Sequence, residues 1–321
     1  EQRRRKVFKD THMNTKNQKK LEVSIGIPAY NEEANIGYLL HALLAQKEKN
    51  FTLKEIIVVS DGSTDKTEAI IRSFTDPRIK VIHDNKRLGQ QIRQNQILKM
   101  YKSEILVLME ADTLPVDDYC INELVKPFAF HLSFNLGMVV GDTFSIAPET
   151  FFETILFHGT KLKKTIFTTW RNSNNLYSCS GHTAKALSRH FASQISWPKD
   201  VPEDAYTYLL IRKLKFEMLK QKSAKIYMKN VSNIQDQIKQ SIKFTSGKCA
   251  LKKYFESSFL HQEYSIPVSI KIRCLFSAFI REPFWVTLYF FEVITNRVLT
   301  LGFTKFNELY IPYESSKKIY G

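Results

Sequence analysis

Four short apolar runs, each ending in polar or acidic residues, constrain this chain more than any other feature. "EVSIGIP" (22–28), "EIIVVS" (55–60), "IKVIH" (79–83) and "EILVLM" (104–109) are continuous β-branched or leucine-rich segments, the pattern of strands buried on both faces. Helical stretches separate them, at 32–46, 65–74 and 88–102. This alternation predicts an α/β fold with a doubly wound, mostly parallel sheet flanked by helices, and such sheets bind ligands in the crevice at the strands' carboxyl ends. The residues that follow the runs are Pro28-Ala29-Tyr30-Asn31-Glu32, Ser60-Asp61-Gly62-Ser63-Thr64-Asp65 and Glu110-Ala111-Asp112. Each has a folding explanation by itself: Asn31 can cap the next helix, and Asp61-Gly62-Ser63 can be a turn. Three such clusters on one sheet edge exceed what folding requires.

The chain has 321 residues, 43% of them apolar, enough for a substantial core in one large domain or two smaller ones. Lysine and arginine outnumber aspartate and glutamate by 47 to 32, a formal +15, which favours acidic partners: nucleotides, nucleic acid or anionic headgroups. Cys120, Cys179, Cys249 and Cys274 have no metal-type spacing, so reduced cytoplasmic thiols are expected and a zinc site is not. Arg3-Arg-Arg-Lys6 precedes no apolar segment before Leu21, so residues 1–20 read as a basic flexible tail rather than a secretory signal.

Further along, 137–144 reads as a strand and 150–168 as a helix, whereas 175–191 reads as a loop running through Gly181 into a short helix. "PEDAYTYLLIRKLKFEML" (202–219) predicts a helix with Glu203 and Asp204 in its first turn, and "SAKIYM" (223–228) an edge strand. We expect one main domain to occupy 21–262 and C-terminal amphipathic helices 263–321. "PFWVTLYFFEVITNRVLTLGF" (283–303) is interrupted by Glu292 and Arg297, short of the roughly 20 uninterrupted apolar residues of a spanning helix. "IPVSIKIRCLFSAFIR" (266–281) mixes Lys271, Arg273 and Arg281 with large apolar side chains, as interfacial amphipathic helices do. A buried hairpin against the main domain accounts for the pattern equally well.

A diphosphate ester needs its charge neutralised if it is to bind or to leave, and a divalent cation on a few carboxylates does both. Glu110 and Asp112 stand two apart at a strand end, so both side chains lean the same way over small Ala111. Oxygen ligands of this kind select Mg²⁺ or Mn²⁺.

In order, "IPAYNEEANI", "VVSDGSTDKT", "RLGQQIRQNQ", "LVLMEADT", "PEDAYTYLLIRKL" and "QSIKFTSG" resemble the family 2 glycosyltransferases, which have the GT-A fold; the resemblance covers about residues 22–250. It implies that Pro28, Ala29, Tyr30, Asn31 and Glu32 border the nucleotide, that Asp61 meets the base, and that Asn95 is a polar position of the helix before the metal strand. Glu110 and Asp112 stand at the family's DxD motif, the first near the ribose and the second holding the metal. Glu203 and Asp204 match the ED motif, whose aspartate is the general base. Gln240, Lys243 and Phe244 fall on QxxRW, which lines the donor and acceptor site, and Gly181 with His182 falls near the donor sugar or acceptor. Five positions depart from the pattern: Ser60 for a frequent acid, Arg93 for a small residue, Glu110 for the first aspartate, and Lys243-Phe244 for Arg-Trp. Lysine keeps the positive charge but loses the bidentate fork.

The implied activity is inverting transfer of a sugar from a nucleoside-diphosphate sugar, UDP-sugar ahead of GDP-sugar, to a lipid-linked or polysaccharide acceptor. Peripheral contact with a cytoplasmic membrane face through the C-terminal helices is expected. Two other activities fit the residues less well. A sugar-phosphate nucleotidyltransferase would need a glycine-rich basic loop after the first strand, where this chain has "PAYNEEANI". A nucleic-acid-binding protein would cluster its basic residues with interleaved aromatics, whereas here they spread along the chain; no nucleic-acid partner is expected.

Overall fold

The structure, a computed structural model, describes residues 20–130, 135–170, 183–301, 313, 315 and 319. Strands β1 (Leu21–Ala29), β2 (Phe51–Ser60), β3 (Ile79–Ile82) and β4 (Ile105–Met109) lie side by side in the order β3-β2-β1-β4, all parallel. Their crossovers carry helices α1 (Ile36–Leu44), α2 (Thr67–Arg72) and α3 (Gln90–Met100). β4 shows why a continuous apolar run is needed. Ile105, Val107 and Met109 enter the core shared with α1, while Leu106 and Leu108 enter the core on the opposite face, shared with Ile97 of α3. Both faces are covered, so no position can be polar. Gly26 of β1 lets α3 approach so closely that a Cβ there would meet Ile97.

The second half of the sheet changes direction. β7 (Ala184–Ser188) runs antiparallel to β4, β6 (Leu136–Ser145) antiparallel to β7, β8 (Glu217–Met228) parallel to β6, and the short β5 (Thr113–Pro115) antiparallel to β8. Among the described residues this gives one mixed, eight-stranded sheet, β3-β2-β1-β4-β7-β6-β8-β5. The loop expected over 175–191 therefore contains a strand. Ala-Lys-Ala-Leu-Ser carries little β-propensity, and pairing to β4 and β6 on its two sides imposes the conformation. β8 starts at Glu217 and lies between β6 and β5 rather than at the edge. The helix expected over 202–219 is α7 (Glu203–Lys213), which stops ahead of Lys215 in the left-handed region at φ 61°.

The remaining helices are α4 (Cys120–Phe130), α5 (Phe151–Trp170), α6 (Arg189–Ala192), α8 (Ile234–Leu251), α9 (Ser257–Tyr264), α10 (Val268–Arg281) and α11 (Pro283–Leu299). α10 and α11 pack on α5. Gly159 of α5 touches the Tyr289 ring so closely that a Cβ would overlap it, and His158 stacks on Trp285 with ring centroids 5.0 Å apart. Among the described residues no helix is long and apolar enough to cross a membrane. The C-terminal residues come back to the body: the Ser315 hydroxyl donates to Asp236 (2.7 Å) and the Ile319 amide to the Asn35 side chain (3.1 Å).

Candidate active site

The carboxyl ends of β1, β2 and β4 open into a cavity of about 490 Å³. Pro28, Ala29, Tyr30 and Glu32 border it from β1, Asp61 from β2, and Glu110, Ala111 and Asp112 from β4. Asp204 enters from the first turn of α7, and Gln240, Lys243 and Phe244 from α8. Residues far apart in sequence thus meet on one wall. The Glu110 amide donates to Thr183 O (3.1 Å) and the Thr113 hydroxyl to Glu110 O (2.7 Å), which fixes the turn that carries Glu110 and Asp112.

The carboxylates crowd one another. Burial, and then the negative charges of Asp112, Glu203 and Asp204, hold the Glu110 carboxyl well above its usual range, and Lys243 offsets this only in part. Glu203 is raised too, first by burial and then by Asp204, with Lys185 and Lys243 opposing. Burial works against the Lys243 charge, yet Glu203, Tyr313, Asp204 and Glu110 outweigh it and strengthen its hold on the proton. The site is a cluster of like charges answered by Lys243 and, at Glu203, by Lys185 as well.

Four expected site residues have other surroundings. Glu203 does not border the main cavity; it is buried behind the floor, where Gln90 Nε2 donates to its Oε1 (3.1 Å) and Lys185 lies nearby. Asn95 faces away as well, its side chain clasping Trp197 by donating to its carbonyl (2.8 Å) and accepting from its amide (3.0 Å). Asn31, in the left-handed region at φ 52°, accepts from the Thr64 amide (2.8 Å) and ties the β1 and β2 loops together. Asp61 does reach the cavity, but its oxygens accept from the Leu88 amide (2.7 Å), the Gly89 amide (2.9 Å) and Arg93 Nε (2.7 Å). Gly181 and His182 lie outside the described residues, as do residues 1–19.

Arg93 is fully buried and is the hub of that wall. Besides Asp61 it donates to Asp84 (2.8 Å), to Gln96 (3.0 Å) and to the Lys86 carbonyl. A small residue here could not anchor the 84–89 loop. That loop places the Arg87 guanidinium 3.9 Å from the centroid of the Tyr30 ring, and both side chains line the cavity.

Sequence reasoning missed a group of basic residues that lines the same cavity. Lys164 of α5 and Lys220 of β8 both contact Asp142 (3.1 and 2.7 Å), and these three, with Lys163 and Lys229, line the cavity. Tyr264 and Tyr313 line it from the C-terminal part of the chain. No local pattern marks these residues; only Arg87, inside "RLGQQIRQNQ", lay in a segment that had attracted attention.

Residues 24–195 match the profile described as Glycosyl transferase family 2. The chain belongs to this family. It is 29% identical over 156 residues to a dolichyl-phosphate beta-glucosyltransferase of Drosophila melanogaster, covering 43% of this chain and 47% of that protein. It is 28% identical over 120 residues to the UDP-Glc:alpha-D-GlcNAc-diphosphoundecaprenol beta-1,3-glucosyltransferase WfgD of Escherichia coli, covering 37% and 45%. The chain spans about half the length of these curated relatives. Among solved structures, the mannosyltransferase PcManGT from Pyrobaculum calidifontis, in complex with GDP-Man and Mn²⁺, superposes with a TM-score of 0.61 over 88% of both chains at 17% identity. The fold is therefore of the GT-A type.

Proposed function

We propose that the protein transfers a sugar from a nucleoside-diphosphate sugar, UDP-sugar ahead of GDP-sugar, to a hydroxyl of a lipid-linked or polysaccharide acceptor, with inversion at the anomeric carbon. The observation that carries this reading is the meeting of Asp112, Asp204 and Lys243, brought from three distant segments, in one cavity. The names of the curated relatives, which act on dolichyl phosphate and a diphosphoundecaprenol sugar, support a lipid-linked acceptor.

The donor set fits a hard divalent cation, Mn²⁺ or Mg²⁺. It consists of carboxylate oxygens, and the mutual repulsion at Glu110 is what a cation relieves. Among the described residues no group of three or more His, Cys, Asp or Glu side chains stands ready to hold a metal. Asp112 and Glu110 would therefore hold it with the donor's own phosphates, as Mg²⁺ is commonly held. When bound, the cation neutralises diphosphate charge.

The chain's own groups do the rest. Lys243, kept protonated by its acidic neighbours, faces the departing diphosphate. The acceptor oxygen bonds to the anomeric carbon while the bond to the diphosphate oxygen breaks; that oxygen keeps the electron pair, and Asp204 takes the acceptor's proton. Asp204 stands in the first turn of α7, where its Oδ1 accepts from the Ala205 amide (3.1 Å). Glu203, the neighbour of Asp204 in the first turn of α7, accepts from Gln90 and does not itself line the cavity. Purified protein with Mn²⁺ and a panel of UDP- and GDP-sugars should release nucleoside diphosphate, and Asp112→Ala and Asp204→Asn should abolish release. Turnover of both variants at the parent rate refutes the assignment.

A further inference from the structure

We propose that α10 and α11 form a docking surface for the headgroup region of an anionic lipid bilayer, lying in its plane. These helices bury little of what they carry. Ile272, Phe276 and Phe291 are 63%, 66% and 62% exposed, and Val268, Phe279 and Ile280 are exposed with them. Cys274 of α10 and Val286 and Tyr289 of α11 are the buried apolar positions.

The arrangement of the exposed residues is ordered. At about 100° per residue in a 3.6-residue helix, the exposed apolar residues of α10 from Val268 to Ile280 fall on one arc of about 140°, with Lys271 at one border and Arg273 at the other. On α11, Phe284, Phe290, Phe291, Ile294 and Val298 share an arc of about 120° with Arg297 at its edge, and the exposed Val293 and Leu299 lie about 60° beyond its two ends. Basic side chains bordering an apolar stripe can lay their stems along it and place their charge among phosphates.

Charge selects the occupant. The two carboxylates of the helix pair face the protein: Glu282 bonds His158 and Lys161 of α5 (2.5 Å each), and Glu292 accepts from Gln237 of α8 (2.9 Å) and Asn296 (2.8 Å). Lys271, Arg273, Arg281 and Arg297 are all exposed. The face thus presents apolar and positive groups with its acids withdrawn. A second copy of this face would bring like charges together, whereas anionic headgroups complement it. α5, which supports both helices, also supplies Lys163 and Lys164 to the cavity wall. The inference rests on surface chemistry and is independent of the reaction proposed above.

The full chain is mixed with sucrose-loaded vesicles of phosphatidylcholine alone, or of phosphatidylcholine with phosphatidylglycerol, and sedimented. The parent should partition into the mixed vesicles, less so at high salt. Phe276→Ser with Phe291→Ser should lower the partition coefficient about tenfold or more. Lys271→Glu with Arg273→Glu should do the same and remove the preference for anionic vesicles. Circular dichroism and donor hydrolysis in solution should match the parent in both variants, which separates lost docking from lost folding or lost chemistry. A parent that stays in the supernatant, or variants that sediment like the parent, overturns the proposal. So does a parent dimer that the phenylalanine substitutions dissociate without any vesicle binding, because the face then joins two copies.

Discussion

Asp61 and Glu110 follow β2 and β4, the two strands flanking β1, yet their carboxylates have opposite surroundings. Around Asp61 every neighbour donates: two backbone amides and the buried Arg93. Around Glu110 the neighbours repel: Asp112, Glu203 and Asp204, with Lys243 the opposing charge. The first wall is complete in the folded chain and holds the 84–89 loop as a rigid border. The second is complete only when positive charge arrives. Position at the end of a parallel strand does not by itself define a functional acid; the balance of donors and charges around it does.

Asp204→Asn and Asp112→Ala should lower turnover on the order of a thousandfold or more while leaving the thermal midpoint within a few degrees, because both lie on the repulsive wall. A large fall in midpoint would show that they hold the fold instead. Arg93→Ala should do the reverse, destabilising the protein by about 3–5 kcal/mol in urea titrations because it strands a buried carboxylate. Asp61→Asn in the Arg93→Ala background should then cost less than the sum of the separate losses, and strict additivity would deny the coupling.

The two walls should also answer pH with opposite sign. Asp84 is held below the ordinary aspartate range, first by its hydrogen bond from Arg93. Its contribution is present above the unfolded value and disappears as pH falls through the folded one, so Asp84→Asn should flatten the acid limb of stability. Glu110 is raised, so its ionisation costs stability as pH climbs through the folded value. Without divalent cation, Glu110→Gln should therefore be more stable than the parent at neutral pH and equal to it in acid. Added Mn²⁺ should raise the parent's midpoint at neutral pH and the variant's less, read by thermal melts at several pH values. A variant that gains as much from Mn²⁺ as the parent would remove Glu110 from the cation's holders.

Much of this was legible beforehand because the information is local. The runs ending at Pro28, Ser60 and Met109 announce strands by continuous burial, and the acids after them announce a crevice. Asp204 is legible from an acidic first turn and the resemblance together. The direction of Asn95 was not legible, because a polar residue on α3 looks the same whether it turns to a ligand or, as here, clasps Trp197 more than one hundred residues later. The basic group was invisible because Lys164 and Lys220 are ordinary lysines until α5 and β8 come together at Asp142.

The sequence by itself determined the parallel half of the sheet, its carboxyl-edge acids and the apolar, basic character of the C-terminal helices, since period, burial and residue chemistry act within a few residues of one another. Tertiary structure alone decided that a weak strand, Ala184–Ser188, would be inserted antiparallel beside β4. It also turned Glu203 behind the floor while Asp204 faces the cavity, and spent Asp61 on Arg93. Those outcomes depend on which distant donors and charges a fold brings within hydrogen-bonding range, and no spacing along the chain records that.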